Sequence, residues 1–190
     1  QVNAMYKNSA PSTAKTTSQI DPNNQNAYQS VTEIKLESET AAYHLWSGSR
    51  DIYISGEVTL NVDGSNSMNQ ARIYLLPNST LNFNMSNYIN DLEIYVASNA
   101  TLNYSYSMLY KQTGGGKIFN RGTLNRPHDF QVNQDAIVYN EGNVYGKDIT
   151  SAPGSNNPSF FYNYGSLELS GKLQLNSCAN FYNEGTVTVS

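Results

Sequence analysis

The chain has one cysteine, Cys178, and two histidines, His44 and His128, among its 190 residues. A single thiol closes no internal disulfide. Two histidines so far apart, neither with a second ligand at metal spacing, match no zinc pattern. Charge is scarce as well: 14% of residues are charged, and 11 Lys and Arg against 15 Asp and Glu leave a formal net charge of −4. With a pI near 5.1 and no basic stripe to neutralise phosphates, nucleic acid is not an expected partner. No apolar run approaches the roughly 18 residues of a membrane-spanning helix. Residues 1–30 lack the basic start and apolar middle of an export signal.

The remainder is dominated by Asn, Ser and Thr, and 15 Tyr carry most of the aromatic content. Aromatic and β-branched side chains suit pleated surfaces, and Asn suits tight turns, so the expectation is a β-rich chain with Asn-based corners. Little Lys with abundant Asn, Ser, Thr and Tyr points to an extracytoplasmic protein, secreted or at a cell surface.

An internal repeat organises the sequence. Apolar–aromatic pairs recur at Ile52-Tyr53, Ile73-Tyr74, Ile94-Tyr95, Ile118-Phe119, Val138-Tyr139, Phe161-Tyr162 and Phe181-Tyr182, with successive spacings of 21, 21, 24, 20, 23 and 20 residues. A turn follows each pair, then a second apolar station: Leu60, Leu81, Leu102, Leu124, Val144, Leu167 and Val187. In the last four copies the turn is a tight Asn-x-Gly, at Asn120, Asn140, Asn163 and Asn183. Around the stations polar and apolar residues alternate, the period of a strand. A unit this short cannot bury its own apolar face and must stack on the next copy.

The predicted fold is therefore all-β: a single-stranded parallel β-helix, or solenoid, of about seven rungs of 20–24 residues, expected to be right-handed. Residues 51–190 form the helix, 31–50 an N-terminal cap sealed by Trp46, and 1–30 a polar segment that is disordered or draped as a strap. Like positions lie about 4.8 Å apart in such a stack. The Ile of each pair should form an interior ladder and the corner Asn an inward amide ladder, with the glycine two residues later supplying positive φ. The chain ends at Ser190 within a recognisable repeat, an edge open to end-to-end association or to continuation.

The phrases Phe181-Tyr182-Asn183-Glu184-Gly185-Thr186-Val187-Thr188-Val189 and Ile73-Tyr74-Leu75-Leu76-Pro77-Asn78-Ser79-Thr80-Leu81 resemble repeats of secreted β-solenoid surface proteins of the Bacteroidetes, including those with an LruC-type domain. The resemblance covers about residues 50–190. It implies an adhesin-like surface protein and supplies no catalytic residues to carry over.

If the Ile of each pair points inward, its neighbour points outward. Tyr53, Tyr74, Tyr95, Phe119, Tyr139, Tyr162 and Tyr182 are then an aromatic ladder on one outer face, the candidate binding site. Such a platform suits sugar rings or another protein's apolar surface. The plainer reading is that stacked like residues stabilise adjacent strands beneath the N-terminal strap. Glu141 and Glu184, two rungs apart with Tyr164 between, invite a glycosidase reading, but solvated corners with Arg121 over Glu141 are the ordinary expectation. The stretches beginning at Asp21 and Asp63 lack the glycine and terminal glutamate of a calcium loop. Gly114-Gly115-Gly116-Lys117 lacks the pattern of a phosphate loop. Asn78-x-Thr80 and Asn99-x-Thr101 match glycosylation sequons by chance in an Asn-rich chain. No metal, cofactor or catalytic residue is expected. The expected function is a non-enzymatic structural or adhesive module, with a carbohydrate-binding module second and a β-helix lyase or glycosidase third.

Overall fold

The computed structural model describes residues 5–20, 30–43, 50–62, 71–85, 92–109, 116–151, 157–176 and 178–190. Among these residues, strands with period-two alternation, too short to close a core alone, stack in parallel into two sheets, one of nine strands and one of ten. The first holds the aromatic stations and the second the apolar stations that follow each corner. The chain is thus a parallel β-solenoid. Register in the first sheet places Tyr53 beside Tyr74, then Tyr95, Phe119, Tyr139, Tyr162 and Tyr182 in turn. Strands Glu33–Glu37 and Thr40–Tyr43 carry both sheets one turn further toward the N-terminus, with Ile34 beside Ile52 and Ala41 beside Leu60. Trp46 lies outside the described residues.

The core is built of columns. Ile34, Ile52, Ile73, Ile94, Ile118 and Val138 stack with no exposed surface, and each such burial contributes about 1.5–3 kcal/mol relative to exposure. A second column runs Leu36, Ile54, Leu75, Val96 and then changes chemistry to Asn120, Asn140, Asn163 and Asn183. The first three of these Asn are fully buried. Each Nδ2 donates to the next Oδ1, at 2.8 Å from Asn120 to Asn140, 2.8 Å from Asn140 to Asn163 and 2.9 Å from Asn163 to Asn183. The same Nδ2 atoms reach backbone oxygens of the following turn, Asn143, Ser166 and Thr186, each at 3.0 Å. The Oδ1 atoms of Asn120, Asn140 and Asn183 also accept the N–H of the glycine two residues on, as at Gly142 to Asn140, 3.1 Å. The buried amides are therefore satisfied both along the stack and within their own turn, as a low-dielectric interior requires.

The corner glycines act differently from the sequence expectation. Among the described glycines only Gly56 has a positive φ, +68°. Gly122, Gly142, Gly165 and Gly185 are required by close approach instead. A Cβ on each would meet a backbone oxygen of the preceding turn, at 2.1 Å from Ala100, 2.2 Å from Gly122, 2.1 Å from Gly142 and 2.0 Å from Gly165. In the corners without this motif, Asn78 and Asn99 take the left-handed conformation, with φ of 65° and 63°. The sequon matches thus fall where a turn needs Asn.

One station is also corrected. Val58, not Leu60, pairs with Leu81, and Leu60 pairs with Phe83. The positive φ of Gly56 tightens that corner, so the second strand begins two residues earlier than the repeat spacing implied.

Asn140→Ala removes an acceptor and a donor from a buried ladder and is expected to cost about 2–4 kcal/mol in urea unfolding. The exposed turn change Ser98→Ala should stay within about 0.5 kcal/mol. A loss for Asn140→Ala no larger than that would show the ladder to be incidental.

Candidate functional site

The aromatic face begins as a close stack. Ring centroids lie 5.3 Å apart for Tyr53 and Tyr74, 5.1 Å for Tyr74 and Tyr95 and 5.1 Å for Tyr95 and Phe119, with interplanar angles of 15°, 11° and 5°. The side chains point away from the main core, yet Tyr53, Tyr74 and Tyr95 are buried, at 2%, 6% and 5% exposure. The N-terminal segment covers them. Tyr6, Ala10 and Ala14 pack on the ladder, and Lys15–Thr16 pairs in parallel with Ile34 and Lys35. Tyr6 meets Tyr95 edge to face, 6.1 Å between centroids at 84°, and the Arg121 guanidinium lies 4.3 Å from the Tyr6 ring centre. Lys7 lies over Tyr74 at 5.7 Å, and Thr17 donates to Glu39 at 2.8 Å. Residues 5–20 thus form a strap across several turns.

Beyond Phe119 the stack breaks. Phe119 and Tyr139 are tilted by 43° at 6.3 Å, and Tyr139 and Tyr162 by 47° at 6.2 Å. Tyr139 packs instead on the corner residue Tyr164, at 5.1 Å. Stacking resumes between Tyr162 and Tyr182, 5.2 Å apart at 9°, with Phe160 parallel to Tyr162 at 5.9 Å. Here the face is open: Tyr164 is 43% exposed and Tyr182 is 50% exposed. The sequence-predicted ladder therefore comes together in one column but divides into a strapped half and an open half.

Burial raises the pKa of each covered phenol. Tyr53 is pushed up to about 12, by desolvation first and then by the carboxylates of Asp51 and Glu33. Tyr95 is raised further, by burial and by donating to Glu93 at 2.7 Å. The open Tyr139 is raised as well, by its own partial burial and by Glu141. Arg121 and Glu141 form an ion pair at 2.9 Å, partly solvated and worth about 0.2–1 kcal/mol. That pairing occupies one of the two carboxylates that had suggested a catalytic corner.

The remaining sequence candidates are dispersed. Cys178 is an exposed free thiol in a left-handed turn, with φ of 67°. His128 is exposed on the second sheet, and His44, the Asp21 and Asp63 turns and Gly114-Gly115 lie outside the described residues.

The sequence reading missed a second feature, a groove of about 810 Å³ on the other sheet. Its outward amides, Asn82, Asn103 and Asn125, ladder at 2.8 and 2.9 Å. The signal was present as a recurrent Thr-Leu-Asn triplet at residues 80–82, 101–103 and 123–125.

Removing residues 1–20 is expected to uncover Tyr53, Tyr74 and Tyr95. In the intact chain the neutral phenols are favoured by folding, so stability held below pH 10 is lost as pH rises from the unfolded value of 10.0 through about 12 for Tyr53. Spectrophotometric titration should show these late-ionising tyrosines in the full chain and their return to the ordinary range in the truncated one. Late ionisation persisting after truncation would mean that the strap is not the cause.

Comparisons with protein-family models, with curated proteins and with solved structures each found no match to the chain.

Proposed function

We propose that this chain is a non-enzymatic structural or adhesive module of an exported or cell-surface protein, a stiff scaffold whose open aromatic face contacts a partner. The observation that carries the reading is the division of the aromatic column. One half is consumed by the protein's own strap, while Tyr162, Tyr164 and Tyr182 leave aromatic surface in water on a rigid sheet. Clustered, partly exposed tyrosines present large contact area at small conformational cost, which is why such residues dominate recognition surfaces. The strap supplies an internal precedent, since Tyr6 docks edge-on against this same column. The resemblance of the repeats to Bacteroidetes surface proteins supports the same reading.

A second reading is favoured by the parallel pair Tyr162 and Tyr182. Two flat rings 5.2 Å apart at 9° also suit successive sugar rings, so the same face would serve a carbohydrate-binding module.

The test is attachment of beads coated with the chain to surfaces bearing mucin, collagen or fibronectin, and to neutral polysaccharide films. The double variant Tyr162→Ala/Tyr182→Ala is expected to cut attachment by about tenfold or more with Tm unchanged within a few degrees, because both side chains lie outside the core. Attachment confined to the polysaccharide films favours the second reading. Attachment equal in the variant and the parent would remove the aromatic face from consideration.

A further inference from the structure

The groove on the second sheet lies on a different face from the aromatic column and is independent of its role. It is lined by Asn82, Asn103, Asn125, Arg126, His128 and Tyr145, among others. Asn82, Asn103 and Asn125 occupy equivalent positions in successive turns, and Tyr145 takes the next place in the row. The four positions therefore span three steps, about 14 Å along the stack. Asn103 and Asn125 each give one N–H to the neighbouring amide and keep a second, while Asn82, whose Nδ2 lies 3.4 Å from Glu57 Oε1 and Thr59 Oγ1, keeps a carbonyl lone pair for the groove. Tyr145, 40% exposed, sets a flat ring at the end of this row.

One wall comes from an irregularity in strand Thr123–Val132. Arg126 pairs with Gly146 and Asp129 with Asp148, so Pro127 and His128 stand against the single residue Lys147. This bulge turns Pro127 and His128 outward, and both are exposed. Immediately before it lies Arg126, on the same parity as the buried Leu124 and only 6% exposed. Its neighbour in register is Gly146, which has no side chain to set against it. Among the described residues the Arg126 Nε is buried with no hydrogen-bond partner, and desolvation lowers its pKa against the opposing pull of the Asp129 carboxylate. A buried, incompletely satisfied guanidinium weakens a fold, and an apolar residue would serve the column better. Local rules of this kind are broken where a ligand supplies the missing partner.

We propose that this groove binds an acidic glycan: a sugar carboxylate meets Arg126, hydroxyl groups meet the amides of Asn82, Asn103 and Asn125, and one ring lies on Tyr145. The carboxylate is the group that a guanidinium fork recognises best. Amides that offer donors and acceptors at regular intervals match the hydroxyls of a repeating sugar chain. An acidic peptide fits less well. Extended peptides are held through a sheet edge, whereas this groove crosses a sheet face whose backbone groups are already paired from turn to turn.

The experiment is affinity electrophoresis of the full chain in gels containing polygalacturonate, alginate or hyaluronate, with dextran as the neutral control and poly-L-glutamate as the acidic-peptide control. Retardation is expected with at least one acidic polysaccharide and with neither control. Tyr145→Ala and Arg126→Met should each weaken it by about tenfold or more. Arg126→Met should also leave Tm unchanged or higher, since it replaces a buried guanidinium with an apolar chain. Tyr162→Ala/Tyr182→Ala, which tests the other face, should leave retardation intact. The proposal is overturned by retardation with none of the acidic polysaccharides, by equal retardation with dextran or poly-L-glutamate, by full retention in both groove variants, or by loss in the aromatic-face variant alone.

Discussion

Every turn of this protein must offer the same position a side chain that the turns on either side will accept. That axial register is the constraint on which the rest of the structure depends. It converts one inward residue per repeat into a column, so that isoleucine is bounded by isoleucine and amide by amide. For apolar residues the rule is permissive, because Ile, Leu, Val and Phe can succeed one another with modest changes of volume. For Asn it is strict. An amide buried without a like neighbour loses a hydrogen bond that the backbone around it does not replace, so Asn120, Asn140 and Asn163 are best served as a run. The glycines beside them carry the same constraint into the backbone, where each turn lies so near the last that no Cβ fits between.

Because a stacked turn touches mainly its neighbours, cohesion in such a fold is local and adds up step by step. The strap departs from that pattern. It reaches from the Tyr6 contact with Tyr95 and Arg121 to a backbone pairing beside Ile34, and so joins turns that otherwise communicate only through those between them. Its contacts are mostly apolar and aromatic, which suits a segment whose own sequence has little alternation and whose order depends on what it covers.

The architecture was legible because it rests on repetition. Seven apolar–aromatic pairs and four Asn-x-Gly corners state the register directly, and the outward parity of the aromatic column follows from alternation. Four things were not legible, for separate physical reasons. The station at Leu60 was displaced because the first corner is tightened by Gly56, and a repeat count sees spacing but not the φ of one residue. The corner glycines were assigned to a backbone conformation because steric exclusion between turns has no signature in a single copy. The strap over Tyr53, Tyr74 and Tyr95 was one of two options since a polar segment declares neither order nor docking site. The groove was missed although its Thr-Leu-Asn triplets repeat, because Arg126 gains its meaning from a bulge and from Gly146 in the next turn.

The strap also sets an order on assembly. Its footprint is shared among strands Glu33–Glu37, Arg50–Ser55, Ala71–Leu75 and Glu93–Val96, together with Arg121 beyond them, and no single one of these offers the whole surface. That surface comes into being only after several later segments have stacked. The strap therefore settles after the segments that follow it in the chain, and its docking acts as a latch that closes on a stack already built.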